Sequence, residues 1–190
     1  MKKIFVLILL FLIPISNKLL AQDWALKTNT LSAVYGTLNL GVEYSLGMKS
    51  SIDLSYSVRP WERKENHVNK YWLIQSEYRY WTCQKFNGHF FGAYVNGAQY
   101  NVGGKKMPFG LFPSIKKYRY EGWMTGVGIS YGYHFMINKN WNIGASLGVG
   151  YELIRYDKFR SPQVCAERIE SGYYHYFGPT RTLIEIAYIF

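Results

Sequence analysis

The chain has 190 residues, 22 Lys and Arg against 12 Asp and Glu, and a net charge of +10, which is the length of one domain. Two cysteines are too few for a disulfide scaffold. Eighteen Tyr, 11 Phe, 6 Trp and 18 Gly are a composition foreign to a soluble periplasmic enzyme and at home in a membrane barrel.

The N-terminus reads as a secretory signal peptide over residues 1–21. Lys2 and Lys3 give a positive start, Ile4 to Ile13 an apolar run ended by Pro14, and Leu19-Leu20-Ala21 a small residue before Gln22. The run is too short for a membrane-spanning anchor. No cysteine follows it for a lipoprotein anchor, and no later stretch is long and apolar enough for a transmembrane helix. Residues 22–190 are then a single exported domain. Losing Lys2, Lys3 and Lys18 leaves 19 basic against 12 acidic residues, a net of +7. For an exported protein that charge points to phosphorylated lipopolysaccharide rather than to nucleic acid.

From there the sequence alternates with a period of two, the signature of strands with two unlike faces. Residues 25–33 are a faint first strand. Leu38, Leu40, Val42, Tyr44 and Leu46 alternate with Asn39, Gly41, Glu43 and Ser45 in the second. Ile52, Leu54, Tyr56 and Val58 alternate with Asp53, Ser55, Ser57 and Arg59 in the third. Trp72, Ile74, Tyr78 and Tyr80 oppose Gln75, Glu77 and Arg79 in the fourth, and residues 89–102 form a fifth whose faces are indistinct. The clearest pair is residues 123–135 and 141–153. There Trp, Val, Ile, Leu and Tyr face one way, while Gly, Ser, Asn, His134 and Glu152 face the other. The eighth, from Thr182, places Ile184, Ile186, Tyr188 and the final Phe190 on one face, as in the terminal signal that the barrel assembly machinery reads.

The fold expected is all-β: an eight-stranded antiparallel outer-membrane barrel. Connections near 47–50, 84–88 and 137–140 are short. Those near 59–70, 104–121 and 158–178 are long, and 34–37 is a short exception. Short inner turns and long outer loops are the rule for such barrels, and Trp72, Trp123 and Trp141 fit an aromatic girdle.

Eight strands enclose a space just wide enough for side chains to fill. The inward set Lys27, Glu43, Asp53, Arg59, Glu77, Arg79, Glu152 and Glu185 is therefore expected to form a paired, structural plug, since buried charge must be compensated. A narrow small-solute pore is the alternative. The strand glycines are expected on inward faces, where space is short. Neither Gly126-x-Gly128 nor Gly103-Gly104-Lys105-Lys106 makes a nucleotide loop, and the four histidines lack metal spacing, so no cofactor or metal is expected. His67 and His175 with Ser114, Ser161 or Ser171 leave a lipid-modifying hydrolase as a further alternative, although no motif joins them. Cys83 at an inner strand end and Cys165 in the last outer loop are too far apart to bridge. Arg63, Lys64, Lys105, Lys106, Lys116, Lys117, Arg119, Lys158, Arg160 and Arg168 are expected to make a basic outer rim suited to phosphate. Tyr118, Tyr120, Tyr173, Tyr174 and Tyr176 beside them suit protein recognition.

Several segments carry a resemblance: Leu26-Lys27-Thr28-Asn29, Asn39-Leu40-Gly41-Val42-Glu43, Glu77-Tyr78-Arg79-Tyr80-Trp81-Thr82-Cys83, Asn87-Gly88-His89-Phe90, Gln99-Tyr100-Asn101 and Tyr176-Phe177-Gly178-Pro179-Thr180. In them the chain resembles a family of small outer-membrane barrel proteins common in Bacteroidetes, known only as a domain of unknown function. The resemblance implies the barrel, an outer-membrane location and an association with surface or fimbria-like gene neighbourhoods, which makes a surface or fimbria-like protein a candidate partner. It implies no activity. Relatives often carry two cysteines in the last outer loop, where this chain has Cys165 alone. The function expected is that of a non-enzymatic structural or interaction protein.

Overall fold

The computed structural model describes residues 23–60, 68–104, 118–160 and 166–190. Eight antiparallel strands follow in chain order: β1 (Trp24–Asn29), β2 (Leu38–Ser45), β3 (Ser50–Arg59), β4 (Val68–Trp81), β5 (Gly88–Gly103), β6 (Arg119–Met136), β7 (Trp141–Phe159) and β8 (Arg168–Ile189). Each pairs with its neighbours in sequence, and β8 pairs back to β1, so the sheet closes into a barrel. The short turns 46–49, 82–87 and 137–140 gather at one end, called the lower end here. The expected signal peptide, 1–21, lies outside the described residues.

Burial follows the alternation. Leu38, Leu40, Val42 and Tyr44 of β2 point outward and are exposed, as are Val127, Ile129, Tyr131 and Tyr133 of β6. Asp53, Glu77, Arg79, Ser130, Asn142 and Glu185 point inward and are buried. This molecule is apolar outside and charged inside. On β5, whose faces the sequence left indistinct, Phe90, Tyr94, Ala98 and Val102 turn inward, while Phe91 and Val95 turn outward. Gly97 shares the outward face and is an exception to the expectation of inward glycines. Elsewhere glycines make room: a Cβ on Gly132 would meet the Phe90 ring, one on Gly144 the His134 ring, and one on Gly128 the Tyr94 ring. Strands β6 and β7 are thus a smooth wall against which large side chains of β4 and β5 lie.

The register sets the tilt. Stepping between opposed residues from Ala25 leads through Glu43, Asp53, Glu77, Tyr94, Gly128 and Gly150 to Gly178. Ala25 itself is paired with Ile189. One circuit therefore climbs from 189 to 178 along β8, eleven residues. One of these is the extra residue Thr180, where the β7–β8 register shifts. A stagger of this size tilts the strands by about 40°.

Two expectations change. The first strand ends at Asn29, and Thr30–Val34 form a single helical turn, α1, instead of continuing the strand. The Asn29 side chain caps it, accepting from Leu31 N at 3.1 Å and Ser32 N at 3.3 Å. At the upper end the long connections are shorter than expected. β4 starts at Val68, β6 at Arg119, β7 runs to Phe159 and β8 starts at Arg168, so Tyr120, Ser171, Tyr173, Tyr174, His175 and Tyr176 are strand residues. The apolar alternation fades there while the hydrogen-bonded ladder continues. Cross-strand aromatic contacts hold this part: Tyr120 lies 5.9 Å from Tyr156, and Val102 and Tyr120 are buried with Tyr100, Tyr118 and Tyr156 against them.

Candidate functional site

The interior is built in three layers. The lowest is apolar: Trp81, Phe86, Phe90, Ala25 and Ile189 form one buried cluster across the lower mouth. Phe86 reaches it from the β4–β5 turn in the left-handed backbone conformation (φ 62°), uncommon for a residue with a side chain. Asn142 donates to the Phe86 carbonyl and anchors the turn. Trp81 Nε1 donates to Ser51 Oγ at 2.8 Å, and Ser51 Oγ donates to Glu43 Oε1 at 2.5 Å, linking this floor to the charges above.

The middle layer is an ion network. Arg79, fully buried, donates from Nε to Glu77 Oε2 at 2.6 Å, and from Nη1 to Glu43 Oε2 and Glu185 Oε1, both at 2.9 Å. Lys27 Nζ lies 2.6 Å from Glu43 Oε2 and 3.7 Å from Glu185 Oε1, and also pairs with Asp53. His134 Nε2 is 2.7 Å from Glu185 Oε1. Arg181 Nη1 is 2.7 Å from Glu77 Oε1, and its Nη2 is 3.9 Å from Asp53. Ser130 donates to Glu77 as well. Every carboxylate of this layer has a cation within salt-bridge distance. The Arg79 guanidinium also sits 4.5 Å above the Phe90 ring, which excludes water from that face.

The upper layer is sparser. Asn96 donates to Glu152 Oε1 at 2.7 Å, in the space left by Gly126. Tyr94 is hydrogen-bonded to Thr180 at the bulge, with the Arg181 guanidinium 5.5 Å from its ring. With its amide oxygen toward Arg181, Gln75 accepts from Nη1 at 2.7 Å.

Six of the eight residues expected in the plug therefore meet: Lys27, Glu43, Asp53, Glu77, Arg79 and Glu185. Glu152 belongs to the separate upper layer. Arg59 is half-buried at the upper end of β3 near Gly36, away from both. Arg181 and His134 are members that sequence reasoning missed. Both were within reach of the pattern. His134 lies on the small, polar face of its strand, and Arg181 is four residues before Glu185, on the same face.

The carboxylates of the network are held by neighbouring cations, and the apolar floor separates them from the lower end. No group of three or more His, Cys, Asp or Glu that could hold a metal occurs among the described residues. His175, expected on an outer loop, stands on β8 and is hydrogen-bonded to Tyr151. Ser171 stands on the same strand. His67, Ser114 and Ser161 lie outside the described residues.

So do Arg63, Lys64, Lys105, Lys106, Lys116 and Lys117 of the expected basic rim. Arg160 and Arg168 are exposed, with Arg168 Nη1 3.8 Å from Asp157. Lys158 is 3.3 Å from Glu170, a hydrogen bond that raises the pKa of its ammonium group, and 4.6 Å from the Tyr118 ring. Arg119 departs from the expectation of a free loop cation. It opens β6, is buried, and stacks 4.3 Å over Phe159. Cys83 is an exposed free thiol in the lower turn 82–87, and Cys165 lies outside the described residues.

No curated protein and no solved structure matches the chain. The family model described as "Protein of unknown function (DUF3575)" matches residues 5–190, nearly the whole length, and the chain belongs to that family.

Proposed function

We propose that the protein is an exported outer-membrane barrel whose sealed interior makes it a rigid pedestal, and that it acts through its upper end as a structural and interaction protein of the cell envelope. The observation that carries this reading is the inverted distribution of polarity. Leu40, Val42, Leu54, Ile74, Val95, Val127, Ile129 and Leu147 form an exposed apolar belt round a charged core. Monomeric soluble proteins rarely leave so much contiguous apolar surface to water, whereas a bilayer requires it. Trp24, Tyr44, Tyr80, Tyr133, Trp141 and Phe190 ring the lower end of the belt, and Trp72 and Trp123 mark the upper end, where amphipathic aromatics favour an interface. The sealed floor and the paired charges favour a plug over a solute pore. Exposed cations such as Arg160 and Arg168 suit lipopolysaccharide phosphates, and Tyr173 and Phe177 suit a surface protein.

Three measurements test this. The protein expressed with its leader in a Gram-negative host sediments with the outer membrane and shifts on gels between unheated and heated samples; recovery in the soluble periplasm refutes the membrane reading. A membrane-impermeant maleimide leaves Cys83 unlabelled on intact cells and labels it after permeabilisation; labelling on intact cells reverses the orientation. The refolded protein gives no steady conductance in a planar bilayer; steady channels would replace the plug with a pore.

A further inference from the structure

Strand β8 outgrows its partner at the point of closure. β1 pairs with Glu185–Ile189 only, while β8 extends up to Arg168. Just above the closure α1 takes over, with Thr30 Oγ donating to the Ile184 carbonyl at 2.8 Å. Above that, β8 has β7 on one side and, among the described residues, no strand on the other.

Parity identifies the groups on that open side. Ile189 N donates to Asn140 O at the start of β7, and Phe190 N donates to Trp24 O at β1. Below the bulge, odd-numbered residues of β8 therefore bond toward β7. The extra residue at Thr180 exchanges the parity. Above it Ser171, Tyr173, His175 and Phe177 direct their backbone N–H and C=O to the open side. Their side chains are the exposed outward set, with Phe177 80% and Tyr173 59% exposed.

Natural edges are blunted with prolines, lysines or bulges. Here the blunting stands at both ends of the segment, at Pro179 with the Thr180 bulge, and at the register shift opposite Lys158 and Phe159. The residues between contain neither Pro nor Lys. We propose that Ser171–Phe177 is a docking edge for an extended segment of another polypeptide, which adds a strand to β8 and sets apolar or aromatic side chains at alternate positions beside Tyr173 and Phe177.

The inference rests on the membrane reading, which selects the occupant. Two copies in one membrane are related by an axis normal to it. With strands tilted about 40°, their β8 strands cross at about 80°, and no β8–β8 ladder forms. A free strand arriving from outside has no such constraint.

The test uses the full chain refolded in detergent micelles. The probe is an acetylated, amidated ten-residue peptide in which Thr alternates with Val and Tyr, with a second version N-methylated at alternate residues. In the free protein the amides of Tyr173, His175 and Phe177 exchange fast with deuterium. The first peptide slows them at least tenfold, and the methylated one does not. Tyr173→Pro removes no bond to β7, so the barrel still shifts on heating while the protection is lost; Tyr173→Thr keeps it. Slow exchange in the free chain, no slowing by the first peptide, equal protection by the methylated one, or unchanged binding to Tyr173→Pro overturns the proposal. So does a dimer by light scattering that Tyr173→Pro dissolves, since a second copy is then the occupant. Folding in micelles does not depend on cellular location, so failure here is separate from failure of the fractionation experiment.

Discussion

Below the Thr180 bulge every strand has two neighbours, and every inward charge of the middle layer has a partner. Above it the strands run on, but the ring does not. The lower part resembles a protein core turned inside out, with charge in place of hydrocarbon and hydrocarbon in place of a polar surface. The upper part is a wall of β4–β8, held by cross-strand aromatics such as Tyr120–Tyr156 and, among the described residues, ending at β8 without a further strand. The comparison shows two ways of satisfying backbone and side chains. The closed part pairs its inward charges internally and exposes apolar surface. The open part keeps its side chains amphipathic, and among the described residues no strand meets the β8 backbone groups that point away from β7.

If the lower part is a compensated core, removing one hub has the largest effect. Arg79→Met leaves Glu43, Glu77 and Glu185 without their shared cation, and should lose about 3–5 kcal/mol of stability. The measurement is the urea midpoint of the heat-shifted band, and an unchanged midpoint breaks the claim that Arg79 organises the plug. Next comes the outer belt. Val127→Lys sets a charge at the middle of the apolar face and should cost about 2–4 kcal/mol in lipid vesicles. Equal stability of variant and parent in vesicles contradicts burial of that face in a bilayer. Gly132→Val drives a side chain into the Phe90 ring and should cost about 1–3 kcal/mol by overpacking; Gly97→Val, on the outward face with open space, serves as its control. The smallest effect belongs to the upper wall. Tyr173→Lys should change folding stability by less than about 0.5 kcal/mol. A loss as large as that of Val127→Lys would mean that the upper part of β8 is buried too.

Much of the lower part was legible in the sequence. The alternation from Trp123 to Phe135 and from Trp141 to Leu153 assigned both faces residue by residue, and the burial of Ser130, His134 and Glu152 follows it. The faces of β5 were not legible. Phe90 and Tyr94 are large inward residues made possible only by glycines on β6 and β7, which sit far away in sequence. The upper part of β8 was read as a loop because it lacks the apolar alternation that marks a strand in contact with lipid. Strand pairing needs only backbone groups and a neighbour, so Tyr173 to Tyr176 became strand without showing that pattern.

The sequence by itself determined that the chain is built of strands, which way the side chains of β2, β3, β4, β6 and β7 point and most of the charges that share the interior, because a period of two is a local property of extended backbone. Which cation meets which carboxylate was decided only by tertiary structure. Arg79 and Glu185 are 106 residues apart and meet because the ring closes β8 onto β1 with a particular stagger. The same stagger, not any feature of residues 171–177 alone, lifts that part of β8 past the end of β1, where no described strand pairs with it on that side.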